Sequence, residues 1–260
     1  MGHLIAASGF GVAGVVASAA LLMMLVEWQA PGTALPRVKR WLPRALSASI
    51  VQALAVWVAG VAWEPWMAAH RLWSSDELGT ATSALIGYLA ITFVYYGWHR
   101  ARHEVGVLWR FVHQLHHSAQ RIEVVTSFYK HPLEIALNSV LSSVVLYLVA
   151  GCSPEAASIA VLLTGLAELF YHWNVRTPHW LGYLIQRPES HRVHHQRGVH
   201  HDNYSDLPLW DILFGTFHNP RHEQVETGFT DTQEQRVTEM LLGRDVVCTR
   251  DVSSHDEGLS

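Results

Sequence analysis

The sequence predicts an all-α fold: an integral membrane helical bundle of about four to five spanning or re-entrant helices carrying a cytoplasmic histidine-rich helical cap. Three observations predict it. Half of the 260 residues are hydrophobic and only 15% are charged. Several apolar runs are long enough to cross about 30 Å of hydrocarbon as a helix. Histidine is abundant, at 18 residues, and recurs at helical spacing. Composition of this kind points to a membrane protein that holds a metal or haem.

Each element follows from its stretch of sequence. Leu4 to Val26, Leu46 to Trp63 and Gly79 to Trp98 contain no charged side chain, and each reads as a span. The first lacks a basic amino-terminal flank and is too apolar over too great a length for a signal peptide, so it reads as a retained span. Ile135 to Ala150 and Ala156 to Tyr171 are shorter and flank "GCSPE", whose Gly151 and Pro154 mark a tight turn. They read as a helical hairpin that spans or deeply penetrates the bilayer.

Orientation follows from the basic residues. Arg37, Lys39, Arg40 and Arg44 fall in one loop and only Arg71 in the next, which puts the first loop in the cytoplasm. Threading onward leaves 17 of the 18 Lys and Arg residues on that side, together with every dense histidine cluster. The expected location is a cell inner membrane with the metal site on its cytoplasmic side. Trp28, Trp41, Trp63, Trp66, Trp98 and Trp173 lie near span ends, where indole rings favour the interface. The chain divides into an N-terminal transmembrane hairpin (1–78), a catalytic region (79–219) and a polar C-terminal tail (220–260), expected to be a partly disordered appendage.

Cys152 and Cys248, the two cysteines, fall on opposite sides of the membrane in this topology. Four-thiolate iron-sulfur and zinc sites are thereby excluded, and a metal must be held by nitrogen and oxygen. "HRARH" places His99 and His103 one helical turn apart on one face. "HQLHH" holds His113, His116 and His117, and "HRVHH" holds His191, His194 and His195. In such a motif the final pair can reach different metals while the first ring joins one of them. His131 in "KHPLE" and His172 in "YHWNV" bring the candidate ligands to ten. That is too many for one metal and suits two, each with a position left for water or oxygen.

Blander readings stand beside several of these residues. His131 precedes Pro132 and also fits a helix start; His172 also fits a helix end, where its partial charge suits the dipole. His200 and His201 follow a glycine-containing loop and are left outside the site. His3, His70, His179, His218, His222 and His255 read as surface, loop or structural residues. "GFGVAG" at Gly9 to Gly14 matches a dinucleotide pattern but lies inside an apolar run with no preceding strand. It reads as a helix-contact stripe, with Gly14 and Ser18 four apart. His103 and Glu104 begin a zinc-protease pattern, but Val107 stands where its second histidine belongs.

Imidazole sites accept zinc, copper, iron or nickel, so spacing alone does not select the metal. The ordered set "HRARH", "LWRFVHQLHHS", "TSFYKHPLE", "YHWNV", "HRVHH" and "NYSDLPLWDILFGTF" resembles the fatty acid hydroxylase superfamily, also called the sterol desaturase family. The likeness runs from about Gly79 to Phe217 and includes the closing WDxLFGT signature at Trp210 to Thr216. It implies a membrane-bound monooxygenase with a non-haem di-iron centre, two Fe ions and O2 as co-substrate, that hydroxylates or desaturates a lipid. It implies His99, His103, His113, His116, His117, His191, His194 and His195 as ligands, with His131 and His172 as additions.

Two departures stand out. Glu168 lies four before His172, where some relatives carry histidine; a metal ligand, an acceptor behind a ligand and a plain helix residue are all open there. "QRGVHHDNYSD" is unusually histidine-rich for its position. Asn203 and Asp211 fit either acceptors behind ligating rings or pins of the last turn. The expected partners are a lipid from the bilayer and an external electron-donor protein, with no nucleic acid. The alternatives are a carotenoid or sterol ring hydroxylase and, more remotely, a membrane metal- or haem-binding protein without oxygenase activity.

Overall fold

The computed structural model describes residues 2–223 and 225–247, with only the backbone of 2–10. Among them the only non-helical pairing is an isolated bridge between Gln196 and Thr227. The chain runs through α1 (Gly2–Gln29), α2 (Trp41–Ala62), α3 (Glu64–Ala69), α4 (Thr80–Glu104), α5 (Gly106–Leu108), α6 (Gln114–His117), α7 (Pro132–Ser143) and α8 (Pro154–His172). It ends in α9 (Pro188–His194), α10 (Pro208–Phe214), α11 (Asp231–Glu234) and α12 (Val237–Leu241).

Four segments are long and apolar enough to cross a membrane: Gly11–Gln29, Trp41–Ala62, Pro132–Val149 and Pro154–His172. Their outward side chains, such as Leu22, Leu54 and Leu163, are exposed and apolar, as a lipid-facing surface requires. The expected third span is α4, which forms the full helix but is less apolar than these four, because threonine, glycine and tyrosine punctuate it. Instead it packs centrally against α8. Ala84 and Ile91 meet Ala156, Ala157 and Ala160 in one buried cluster, and such small residues let helix backbones approach closely. Gly87 belongs to this contact, since a Cβ there would sit 2.8 Å from Cys152 Sγ.

The hairpin turn is built as its residues dictate. Ser153 caps α8 by accepting from Ala156 N at 3.1 Å, and Pro154 occupies the first turn, where its missing N–H is harmless. Gly151 takes φ +63°, and Trp73 Nε1 donates to Val149 O at 2.8 Å to close the loop from α3 over the turn.

Residues 225–247, expected as a polar appendage, fold back onto the body. Phe229, Met240 and Val246 are buried with Trp41, Leu115 and Tyr129. Thr230 and Gln233 form a reciprocal capping box that starts α11. The tail is polar in composition, but these spaced apolar residues supply an anchoring face. The terminal "HDEGLS" lies outside the described residues.

Candidate metal centre

Nine of the ten expected histidines converge at the end of α4 and α8. One group holds His99, His103, His113, His117 and His194; the other holds His116, His172, His191 and His195. Within each group the ligand-capable atoms all lie within 4.8 Å of one another. The groups adjoin through His117 and His195, whose rings stack with centroids 4.1 Å apart.

Local structure explains the sorting. α4 brings His99 and His103 on successive turns. A π-helical turn, Trp109–His113, leads into α6, after which His113 joins His117 while His116 points to the other group. In α9 the first ring, His191, pairs with His195, and His194 crosses to the first group. Both three-histidine motifs therefore split their final pair. His172, the last residue of α8, completes the second group.

The inward atoms are Nε2. His99 Nε2 lies 2.9 Å from His113 Nε2 and 3.1 Å from His194 Nε2. His191 Nε2 lies 3.1 Å from the Nε2 atoms of both His172 and His195. Nε2 of His103 and of His117 is buried without any hydrogen-bond partner. Buried polar atoms are ordinarily paired, so the unpaired nitrogens of the first group and the facing Nε2 atoms of the second fit a cation at the middle of each.

The outward nitrogens show how the rings are held. His99 Nδ1 donates to Tyr204 O at 2.8 Å, and His194 Nδ1 to Asp202 O at 2.6 Å. His103 bonds the backbone of His200. Alternate residues of one loop thus support three rings. That loop is forced into shape: His200, Asp202 and Asn203 take φ of +48°, +68° and +51°, a left-handed region costly for residues other than glycine. Asn203 pins it by donating to Ser190 O at 3.0 Å and accepting from His218 N at 2.8 Å. Asp211 accepts from Tyr204 N at 2.8 Å, Ser205 N at 3.0 Å and Thr216 Oγ1 at 2.7 Å. Asn203 and Asp211 are pins of the turn, and their effect on the rings runs through the Tyr204 and Asp202 carbonyls.

Two further partners stand behind the rings: Glu134, which the sequence does not single out, and His200, which the sequence leaves outside the site as either solvent-facing or supporting. Glu134, fully buried, accepts from His113 Nδ1 at 3.0 Å and pairs with buried Arg102. His200 contacts His117 through the two Nδ1 atoms at 3.1 Å, so it stands behind a ring of the first group. His201 is exposed and pairs with Asp202. In the second group His116 Nδ1 donates to Tyr129 O at 3.2 Å and His172 Nδ1 to Glu168 O at 2.9 Å. The Glu168 carboxylate bonds Lys130 instead of joining either group.

His131 is the histidine not brought in. It caps α7, its Nδ1 accepting from Leu133 N at 3.0 Å, while Nε2 faces Leu241 O at 3.2 Å. The helix start before Pro132 uses the ring locally, so it is unavailable to either group.

Burial holds the clustered imidazoles in the neutral form that binds metals. The rings of His99, His103, His113, His116, His117, His191 and His195 are pushed well below the usual 6.5 by burial, with neighbouring histidine, arginine or lysine charges adding to it. His194 is pushed down to about 3, again by burial, although its bond to Asp202 opposes the shift.

Comparison with known proteins agrees with this geometry. The fatty acid hydroxylase family model matches residues 84–216. Ornithine lipid hydroxylase OlsE of Rhizobium tropici is 32% identical over 191 residues, 71% of this chain and 56% of that protein. Alkylglycerol monooxygenase of Homo sapiens is 30% identical over 172 residues, 65% of this chain and 36% of that protein. Sphingolipid C4-hydroxylase sur2 of Schizosaccharomyces pombe is 30% identical over 132 residues, 49% of this chain and 45% of that protein. The chain thus spans between 36% and 56% of the length of these relatives. No solved structure matches. The family match covers both histidine groups and the loop that supports the first, ending just after α10, and the chain belongs to the fatty acid hydroxylase family.

Proposed function

We propose that the protein is a membrane-bound di-iron monooxygenase that hydroxylates, or desaturates, an unactivated C–H bond of a bilayer lipid with O2 and electrons from another protein. The observation that carries this reading is the convergence of nine mostly buried imidazoles into two adjoining groups. A hydrolytic zinc ion needs about three protein ligands. Neighbouring five- and four-histidine groups suit a metal pair. Fatty acid, sterol and carotenoid substrates all fit an apolar approach; the relatives named above favour a lipid with a polar headgroup.

The proposed ligands are the Nε2 atoms of His99, His103, His113, His117 and His194 for one iron, and of His116, His172, His191 and His195 for the other. Bound ferrous ions would supply oxygen activation, chemistry that no side chain here provides. The chain's own part is positioning. Donation from Nδ1 to the carbonyls of Tyr204, Asp202, Tyr129 and Glu168 fixes the tautomer that leaves Nε2 free as a ligand. Burial keeps the rings unprotonated and excludes water from the reacting C–H bond. The topology expected from the basic loops has the site facing the cytoplasm, within reach of a soluble or membrane-bound reductant, with an inner membrane as the expected location.

The test is elemental analysis and Mössbauer spectroscopy on detergent-purified protein loaded anaerobically. Two irons per chain in coupled, nitrogen-rich sites are expected, followed by incorporation of isotopically labelled oxygen into a lipid product. A single zinc or a bound haem would overturn the reading.

A further inference from the structure

The closing segment of the family match contains a surface that the metal centre does not use. Helix α10, "PLWDILF", has one charged residue, Asp211, and that side chain is turned inward onto Tyr204 N, Ser205 N and Thr216 Oγ1. The opposite face is wholly apolar and exposed: Leu209 is 45% accessible, Ile212 48%, Leu213 63% and Phe214 50%. An apolar face of that extent needs an apolar partner.

The position of α10 identifies the partner. Trp210 Nε1 donates to Thr92 Oγ1 at 3.0 Å, and the Trp210 ring meets Phe93 edge-on at 5.0 Å. Phe214 stacks on Tyr96 at 4.9 Å. Thr92 and Phe93 belong to the charge-free part of α4, six to seven residues before His99. At 1.5 Å rise per residue, that is about 9 Å from the histidines toward the far end of α4. α4 packs on α8, a segment able to span the bilayer. A helix held against α4 at that depth is below the histidine level, where exposed apolar side chains meet acyl chains.

We infer that α10 is a membrane-inserted interfacial helix whose Leu209, Ile212, Leu213 and Phe214 face penetrates the headgroup–acyl boundary beside α4. Short amphipathic helices lie about 5–10 Å deep in that way. The insertion sets the first histidine group directly over lipid, because Phe214, Tyr96 and Tyr204 form a continuous aromatic series ending on the His99 ring. It depends on α8 crossing the bilayer with α4 packed against it, and not on any oxygen chemistry.

Nitroxide labels in nanodisc-embedded full chain test it. Leu213→Cys and, separately, Ile212→Cys would be compared with Leu163→Cys, on the outer face of α8, and Glu104→Cys, beyond the histidines on α4, in a Cys248→Ser background. Expected is an oxygen-to-nickel-chelate accessibility ratio at both α10 positions several-fold above that at Glu104→Cys and close to that at Leu163→Cys. A ratio like that of Glu104→Cys would place α10 in water and overturn the inference. Protection from both relaxants would mean that a second copy or another protein covers it, which overturns it equally. Iron content of each labelled chain, read in parallel, separates a failed insertion from a failed metal reading.

Discussion

The two histidine groups hold similar rings in different ways. In the first, every ring has a partner behind it: Tyr204 O, the His200 backbone, Glu134, the His200 ring and Asp202 O. In the second, His116 and His172 lean on backbone carbonyls, while Nδ1 of His191 and of His195 is buried without a hydrogen-bond partner. Outer partners fix ring tautomer and raise ligand basicity. The first group is therefore a prepared site, and the second is half prepared, set by packing alone at two of its four rings. Accessibility runs the other way: His99 and His103 are part-exposed, whereas all four rings of the second group are buried.

Removing one ring from each group gives the largest effect and tests the asymmetry directly. His194→Ala and His191→Ala should each lower product formation by more than about 100-fold, since even outer partners are worth about 10- to 100-fold. Under limiting iron the unaltered protein should fill the first group before the second. His191→Ala should then keep a high-affinity iron that His194→Ala loses, read by Mössbauer spectra during stepwise loading. Equal affinity in the two variants would dissolve the distinction.

Among the described residues Glu134 is the one carboxylate behind a clustered ring, and its replacement sharpens the comparison at the next level down. Glu134→Leu leaves both the His113 N–H and buried Arg102 without an acceptor, and breaking a buried pair from one side is strongly destabilising. Iron affinity of the first group should fall by about 10- to 100-fold with the second group unchanged. Glu134→Gln keeps an oxygen facing His113 and should recover part of that loss, a rescue that general damage to α7 would not give.

Acid should separate individual rings, more gently. An unfolded histidine titrates near 6.5, and burial holds the ring of His194 to about 3. Between those values the unfolded chain binds more protons than the fold, so metal-free stability is complete above about pH 6.5 and declines as pH falls toward about 3. Each ring that stays neutral contributes up to about 1.4 kcal/mol per pH unit. The backbone acceptors behind His99, His103 and His194 oppose the shift, whereas every influence on His191 and His195 lowers it. Nitrogen NMR of labelled histidine should show His194 taking a proton before His191 and His195.

Much of this architecture is legible along the chain, for reasons that also mark where legibility ends. Helical spacing places His99 with His103 and splits the pairs His116–His117 and His194–His195, because a 3.6-residue period is set locally. The partners behind the rings are mostly backbone carbonyls, which carry no residue signature. Their placement depends on left-handed backbone at His200, Asp202 and Asn203, which Asn and Asp tolerate better than most residues. Glu134 lies in "KHPLE", and nothing in sequence ties it to His113, 21 residues away. The tail is polar in composition, and three buried apolar side chains, Phe229, Met240 and Val246, outweigh that composition.

His131 gives the smallest effect and the cleanest contrast with His172. Both are single histidines at a helix boundary, yet one begins α7 and the other ends α8, and only the second reaches the metal-binding groups. A helix start has spare N–H groups that draw an acceptor ring inward to the backbone. At a helix end the ring can reach back to the carbonyl one turn earlier, and His172 does so with Nδ1 on Glu168 O while Nε2 points onward. His131→Ala should remove one cap, worth about 1 kcal/mol, and leave iron content and spectrum unchanged. His131→Asn, which supplies a side-chain acceptor at the same position, should restore the stability. If thermal unfolding is unaffected but an iron is lost, the ring is a ligand and α7 begins differently in the loaded protein.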